Sequence, residues 1–397
     1  MSALKNTHLR LVLLLCSAEA LAMAGFGSYP ALLPTLQHAW ALNGREAGLV
    51  SGAFFLGYML TVPFLSGWTD RVDARLVFAC SCLLAAAASV SFGLFASGLW
   101  SAMVFQAVAG AGLAGTYMPG LKALTDRVDG PRQPRYISFY TATFGIGASA
   151  SLLLAGWFAK LFNWQTAFVL LGILPVLACG LVLKGLQACP VSTPAPRQGW
   201  GWARVWKQPS MRQYIIGYAV HCWELFGMRS WQVAFFSFAF AASASQAWLN
   251  PTEAAALLNL LGLPASILGN EVAMRWGRPR WIALTMLGSG MLAWLAGASV
   301  MWPWFVCLGL ASLYNIAIMA DSASLTAGLV AHSDTQQRGT AMALYSMAGF
   351  GAGFISPVVF GAVLDLSGGQ QQPMSWALAM GSLGLGCLAW GIRLVRK

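Results

Sequence analysis

Charge is scarce in this chain. Asp, Glu, Lys and Arg make up only 9% of its 397 residues, and nearly all of them fall in short clusters between apolar runs of about twenty residues. A water-soluble domain needs charge spread over its surface, so this pattern excludes one. Metal and nucleotide signatures are missing as well. The eight cysteines show no CxxC or Cys/His spacing, lie mostly inside apolar runs and read as small packing residues. No metal and no cofactor is expected. The chain has no nucleotide loop, no nucleophile elbow and no paired acids in a soluble cleft, which argues against ATP-driven transport and against an enzyme. The net charge of +11 does not mark a nucleic-acid partner, because the basic residues are scattered over many loops and form no stripe.

What remains is hydrophobic: 58% of residues, with a mean hydropathy of +0.66. A helix of about 20 apolar residues spans the ~30 Å hydrocarbon layer. Apolar runs between polar punctuation predict an all-α membrane protein of twelve transmembrane helices. The predicted spans are 11–33, 45–66, 76–97, 99–121, 136–158, 165–184, 213–238, 252–272, 281–300, 303–328, 340–363 and 374–392. The N-terminus imitates a signal peptide, with Lys5, His8 and Arg10 before an apolar core and Ala22-Met23-Ala24 after it. The apolar stretch runs on to Tyr29-Pro30 and contains Glu19, so it reads as a retained helix.

Lys and Arg orient the spans. With the N-terminus in the cytoplasm, all of the 23 except Arg45, Lys160 and Arg229 fall on the cytoplasmic side. Both termini are therefore expected there, in an inner or plasma membrane. The longest loop, 185–211, carries Pro190, Pro194, Pro196 and Pro209, with Lys184, Arg197, Arg204, Lys207 and Arg212 in or beside it. It reads as a linker between a six-helix bundle at 1–184 and another at 212–397. Its Trp200, Trp202 and Trp206 suit a membrane surface.

The halves are expected to be repeats. A shift of about 205 residues brings Glu19-Ala-Leu-Ala-Met23 onto Glu224-Leu-Phe-Gly-Met228 and Phe144-Gly-Ile-Gly147 onto Phe350-Gly-Ala-Gly353. It also brings Arg71-Val-Asp-Ala-Arg75 close to Arg275-Trp-Gly-Arg278. Duplicated halves are how many transporters build alternating access around a midplane site.

Over its whole length the sequence resembles the major facilitator superfamily of secondary transporters. The most specific piece is Gly67-Trp-Thr-Asp70-Arg71-Val-Asp73-Ala-Arg75, which is similar to the family's signature between helices 2 and 3. It departs in having Gly67 three residues before Asp70 and Asp73 where a second Gly is usual. The resemblance implies two pseudo-symmetric six-helix bundles and a cytoplasmic gate at Gly67, Asp70, Arg71 and Arg75. There a small residue lets helices 2 and 11 approach, and Asp70 accepts hydrogen bonds from Arg or a helix N-terminus. The plain alternative is a set of positive-inside charges. In the second copy Met274 stands at the position of Asp70, with Glu271 one turn earlier. Gln106 replaces the family's helix-4 arginine, helix 5 has no Gly-Pro pair, and helices 2 and 8 lack an interior Arg. These departures disfavour multidrug export and nitrate exchange.

Four ionisable residues sit deep in predicted spans: Glu19, Glu224, Arg229 and Asp321. Helical rise puts Glu19 about 13 Å past Arg10, Glu224 about 18 Å past Arg212 and Asp321 about 16 Å before His332, all near mid-depth. Facing lipid, each would cost about 2.5–3.5 kcal/mol, so they are expected to face protein. His221 and Glu224, three residues apart, are placed to share a proton, and Tyr314, Asp321 and Gly328 are placed on one helix face. In this fold Glu19 and Glu224 would face each other across a central cavity. A sheltered carboxyl can carry a proton through one half-cycle and release it in the other. Arg229 can hold an anion or neutralise an acid. A fixed network that locks the helices is the structural alternative.

Three functions stay open on this reading. The first is a proton-coupled transporter of a small polar organic solute, working by alternating access, with Glu19, Glu224 and Asp321 as coupling groups and a lesser role for His221. The second is a uniporter or anion exchanger with Arg229 as the clamp. The third is a transporter-like sensor that moves nothing. The expected partners are the solute, protons and the lipid bilayer, and a single copy is enough to form the pathway.

Overall fold

The computed structural model describes residues 2–128, 130, 132–189, 202–334 and 337–396, and these form helices and connecting turns with no strand. Pro190, Pro194, Pro196, Arg197 and Trp200 of the expected linker, and Lys397, lie outside the described residues, as does the side chain of Lys5.

Twelve long helical segments follow one another, as the hydropathy pattern predicts. They are α1 (His8–Trp40), α2 (Gly44–Trp68), α3 (Ala74–Phe95), α4 (Leu99–Thr125), α5 (Arg135–Leu161), α6 (Trp164–Gly185), α7 (Pro209–Ala242), α8 (Pro251–Trp276), α9 (Arg278–Met301), α10 (Trp304–His332), α11 (Arg338–Leu366) and α12 (Pro373–Val395). All but α7 are both long and apolar enough to cross a bilayer. Segment α7 has the length, 34 residues or about 51 Å. Its hydropathy is diluted by His221, Glu224, Arg229 and Gln232, all of them buried. The outer surface is apolar: Phe64, Leu94, Ile267, Leu268 and Met291 are all exposed, which suits hydrocarbon and not water.

Three segments are interrupted. Segment α1 tightens into a 3-10 turn at Met23–Gly25, α4 breaks between Ala114 and Tyr117, and α10 breaks between Met319 and Ser322. Each break frees backbone groups that lipid cannot satisfy, so protein groups must do so. At the α1 break, Ser151 on α5 accepts a hydrogen bond from Gly27 N at 2.7 Å and donates one to Ala24 O at 2.7 Å. Ser28 donates to Gly25 O at 2.7 Å. Ser151→Ala would strand a buried donor and a buried acceptor together. It is expected to destabilise the protein by about 2 kcal/mol, read by thermal unfolding in detergent, while Ser151→Thr stays close to wild type.

The helices group into two compact units, Met1–Leu32 with Leu56–Arg197, and Leu33–Phe55 with Gln198–Lys397. In the first unit α3 lies along α6: Ser89 donates to Phe168 O at 2.8 Å, and the Phe92 and Phe168 rings stack at 4.0 Å. Leu15, Phe78, Tyr140 and Val182 fill its core. In the second unit the repeat-related pair α9 and α12 meets backbone to backbone. A Cβ on Gly290 would lie 2.8 Å from Gly384 O, and one on Gly384 would lie 2.6 Å from Gly290 O. Such glycine-mediated contact is the usual way to pack helices that share lipid as solvent.

The second unit also holds the start of α2 against α11. A Cβ on Gly48 would fall 2.2 Å from Pro357 O, and one on Gly361 would fall 2.0 Å from Gly44 O. The Asp365 carboxylate accepts from Gly44 N and Arg45 N, both at 2.8 Å. It thereby caps two of the orphan N–H groups at the head of α2 and meets the positive end of that helix.

Candidate functional site

Glu19 is fully buried in the first unit, on α1 just before the 3-10 turn. Its Oε2 accepts from the Tyr140 hydroxyl of α5 at 3.1 Å. Its Oε1 has no hydrogen-bond partner. The same hydroxyl lies 3.2 Å from Tyr117 O and 3.4 Å from Thr116 O at the α4 break, so it can donate to the carboxylate or to the backbone. Gly120 makes room for it, since a Cβ there would sit 2.0 Å from the Tyr140 oxygen.

Glu224 is the counterpart in the second unit, 1% exposed. Its Oε2 accepts from Ser289 of α9 at 2.7 Å and from the Cys387 thiol of α12 at 3.0 Å, while Oε1 is unmatched. The Tyr314 side chain of α10 lies beside the same carboxyl. Cys387 is thus more than the packing residue the sequence implied; no local pattern distinguishes a thiol that fills space from one that also donates. Each acid is hydrogen-bonded inside its own unit.

His221 departs from its expected partner. Its Nδ1 lies 2.7 Å from Asp321 Oδ1, and both side chains are buried. The two side chains are in contact, though Asp321 Oδ1 has no hydrogen-bond partner of good geometry. Asp321 stands in the α10 break, at the head of Ser322–His332. Tyr314, Asp321 and Gly328 each meet a different partner. Tyr314 faces Glu224, Asp321 meets His221, and Gly328 packs beneath Tyr214. The offset of about 205 residues relates Thr116 at the α4 break to Asp321 at the α10 break, and Tyr140 to Tyr345. The repeat therefore preserves the α4 and α10 breaks while changing the chemistry at them, whereas the break in α1 has no counterpart in the continuous α7.

Arg229 is 7% exposed. Its Nη2 approaches the Met319 sulfur at 3.9 Å and its Nε is buried without a partner. Among the described residues no carboxylate lies within 4 Å of it. Likewise no group of three His, Cys, Asp or Glu side chains is placed to hold a metal ion.

In the 2–3 loop the structure puts the charge junction on Asp73. Asp70 and Arg71 are exposed, and neither side chain forms an ion pair among the described residues. Gly67 closes a turn by accepting from Asp70 N at 3.4 Å. Asp73 instead caps α3 by accepting from Arg75 N, and it binds Arg127 at 2.8 and 3.1 Å and Cys189 N at 2.9 Å. Arg75 Nε lies 3.1 Å from Asp73, and its Nη1 donates to Leu186 O at 2.8 Å. Lys122 and Asp126 pair nearby at 3.0 Å. The signal for Asp73 was in the sequence, since an Asp directly before an apolar run is a helix N-cap.

Burial pushes the Asp73 carboxyl up, but hydrogen bonds from Arg127, Cys189 N and Arg75 N, with the charge of Arg127, hold it below its ordinary range. A lowered folded pKa stabilises the protein above the unfolded value of about 3.9 and loses that contribution as pH falls through the folded value. Asp73→Asn is expected to lower stability by about 1 kcal/mol at pH 7, a small figure because water screens the membrane edge. The difference from wild type should shrink as pH falls below the ordinary carboxylate range and vanish once Asp73 is protonated in the folded protein. Thermal unfolding of both proteins across pH measures it, and a pH-independent difference would mean the carboxylate charge is not what holds the junction.

The sequence model of the Major Facilitator Superfamily matches residues 15–257. The voltage-gated purine nucleotide uniporter SLC17A9 of Rattus norvegicus is 23% identical over 391 residues, covering 90% of this chain and 83% of that protein. An MFS-type efflux pump of Mycolicibacterium smegmatis is 25% identical over 348 residues, covering 84% and 79%. Among solved structures, a bacterial homolog of the human lysosomal transporter Spinster aligns with a TM-score of 0.79 at 15% identity, covering 98% of this chain and 96% of the other. The POT family transporter PepTSo aligns with a TM-score of 0.78 at 13% identity, covering 98% and 97%. At these identities the structural likeness speaks to the fold.

Proposed function

Because the chain belongs to the major facilitator superfamily, and is thus a multi-pass membrane transporter, we propose that it moves a small polar organic solute in exchange of conformations coupled to proton movement. Its halves, 1–184 and 212–397, alternate access as repeats, in a cell membrane with both termini cytoplasmic, and one copy suffices. The observation that carries this reading is the pair of buried carboxyls at repeat-related positions. Glu19 and Glu224 each have one oxygen hydrogen-bonded and the other unmatched. An ionised carboxylate enclosed in this way is poorly solvated and a protonated one is tolerated, so the charge on each is tied to how its neighbours pack. Asp321 with His221 offers a second proton-bearing pair, and the 2–3 loop residues Gly67, Asp70, Arg71 and Arg75 lie at the cytoplasmic gate.

The test is proton entry into proteoliposomes carrying an internal pH dye, on addition of solutes from a panel of organic acids, amino acids and sugars. A solute that carries protons inward in wild type and not in Glu19→Gln/Glu224→Gln supports the reading. Unchanged proton entry in the double variant overturns it.

A second reading has its own support. Arg229 is buried with no carboxylate within 4 Å among the described residues, as a clamp for an anionic solute would be, and the rat relative is named as a nucleotide uniporter. Under it, flux would ignore a pH gradient and disappear in Arg229→Gln.

A further inference from the structure

We propose that Arg229 anchors a binding site, inside the second unit, for a small organic monoanion: a carboxylate that also carries a hydroxyl or amino donor. This rests on the transport reading and names the class of solute.

A guanidinium presents five N–H donors. One set on Arg229, at Nη2, reaches only the Met319 sulfur, a weak acceptor, and Nε reaches nothing. Nη1 makes no hydrogen bond among the described residues, and the residue as a whole is 7% exposed. A buried charge held this way is expensive unless an opposite charge meets it. The planar fork of Arg is matched by carboxylate geometry.

The neighbours add the second half of the specificity. Gln232, three residues on and hence on an adjoining face of α7, has its Oε1 buried and unmatched. Met319 and Asn315, one turn apart on α10, both flank Gly262 of α8: a Cβ there would be 2.9 Å from Met319 Cγ and 3.4 Å from Asn315 Nδ2. Asn315 Oδ1 and, one turn before Gly262, Asn259 Oδ1 are likewise buried and unmatched. The region around the single cation therefore presents acceptors that lack donors. A hydroxy or amino acid supplies donors to them; a plain fatty acid does not.

Charge count limits the anion to one unit. The other buried carboxyl and imidazole groups of α7 and α10 are Glu224, Asp321 and His221; the buried thiols and phenols, among them Cys222 and Tyr314, are neutral near pH 7. A monoanion balances Arg229, whereas a dianion adds net negative charge beside two acids. The same balance gives the sense of coupling: an anion on Arg229 favours the protonated acids, so anion and proton move in the same direction.

The experiment is thermal stabilisation of the purified protein in detergent by titrated L-lactate, propionate, sulfate and choline. L-lactate should bind about tenfold more tightly than propionate, the worth of one hydrogen bond; sulfate, a dianion, and choline should give no shift. Arg229→Gln should weaken both carboxylates by at least about thirtyfold. Asn259→Ala, which leaves the cation in place, should remove the advantage of lactate and keep the response to propionate, so the site is testable even if Arg229→Gln fails to fold. The proposal falls if neither carboxylate stabilises the wild type, if sulfate does so equally, or if lactate and propionate are indistinguishable. Lactate-driven proton entry separates it from the reading beneath it. Arg229-dependent binding without proton entry keeps the site and removes the coupling; proton entry with another solute and no carboxylate binding does the reverse.

Discussion

Glu224→Gln is expected to abolish solute accumulation driven by a pH gradine imposed across proteoliposomes, down to the level of empty vesicles, while counterflow exchange continues. Glutamine keeps the shape of the side chain and can still accept from Ser289 and Cys387, which lie at 2.7 and 3.0 Å from the native carboxyl. It cannot take up or release a proton. A purely structural Glu224 would show the opposite pattern. There the amide would either preserve all activity by preserving the hydrogen bonds, or lower exchange and accumulation together by loosening the bundle. Cys387→Ser serves as a control, because a hydroxyl replaces the thiol as donor; accumulation should survive it. Wild-type accumulation by Glu224→Gln would remove this residue from the coupling mechanism.

Gly48→Val should have the largest effect on the fold. Its first added carbon would stand 2.2 Å from Pro357 O. That carbonyl has little freedom to retreat, since it also accepts from Trp231 Nε1 at 3.0 Å, and the Trp231 ring stacks on Phe360. Overpacking against flexible side chains costs about 1–3 kcal/mol. Against two helix backbones the relief has to come from displacing the start of α2 from α11, which takes Asp365 away from the amides of Gly44 and Arg45. The expected result is loss of more than about 3 kcal/mol or failure to purify a folded protein. Gly180→Val is the matched control: nothing lies within 4 Å of an added Cβ there, so it should behave as wild type. A Gly48→Val protein as stable as wild type would show that the two helices do not meet at this carbonyl.

Much of the fold was legible because hydropathy is a local property. A run such as 165–184 announces a membrane helix whatever it packs against, and α6 occupies Trp164–Gly185. Buried ionisable residues were legible for the same reason, since Glu19, Glu224, Arg229 and Asp321 interrupt such runs and all four are buried. Their partners were not. Tyr140 is 121 residues from Glu19 and Cys387 is 163 from Glu224, and no spacing rule reaches so far. The contact of His221 with Asp321, on another helix, is of the same kind, since a periodic pattern relates only residues of one helix.

By itself, then, the amino-acid order determined how many helices form, that lipid is their solvent and which few charges lie within them, since each follows from the transfer energy of about twenty consecutive residues. Tertiary structure alone decided what those charges touch. Side-chain hydrogen bonds hold only within about 3 Å, and that proximity is set by where helices cross, break and admit a glycine. Hence Asp73 and not Asp70 holds the 2–3 junction, Glu224 rests on a serine and a thiol, and Arg229 has no carboxylate beside it among the described residues.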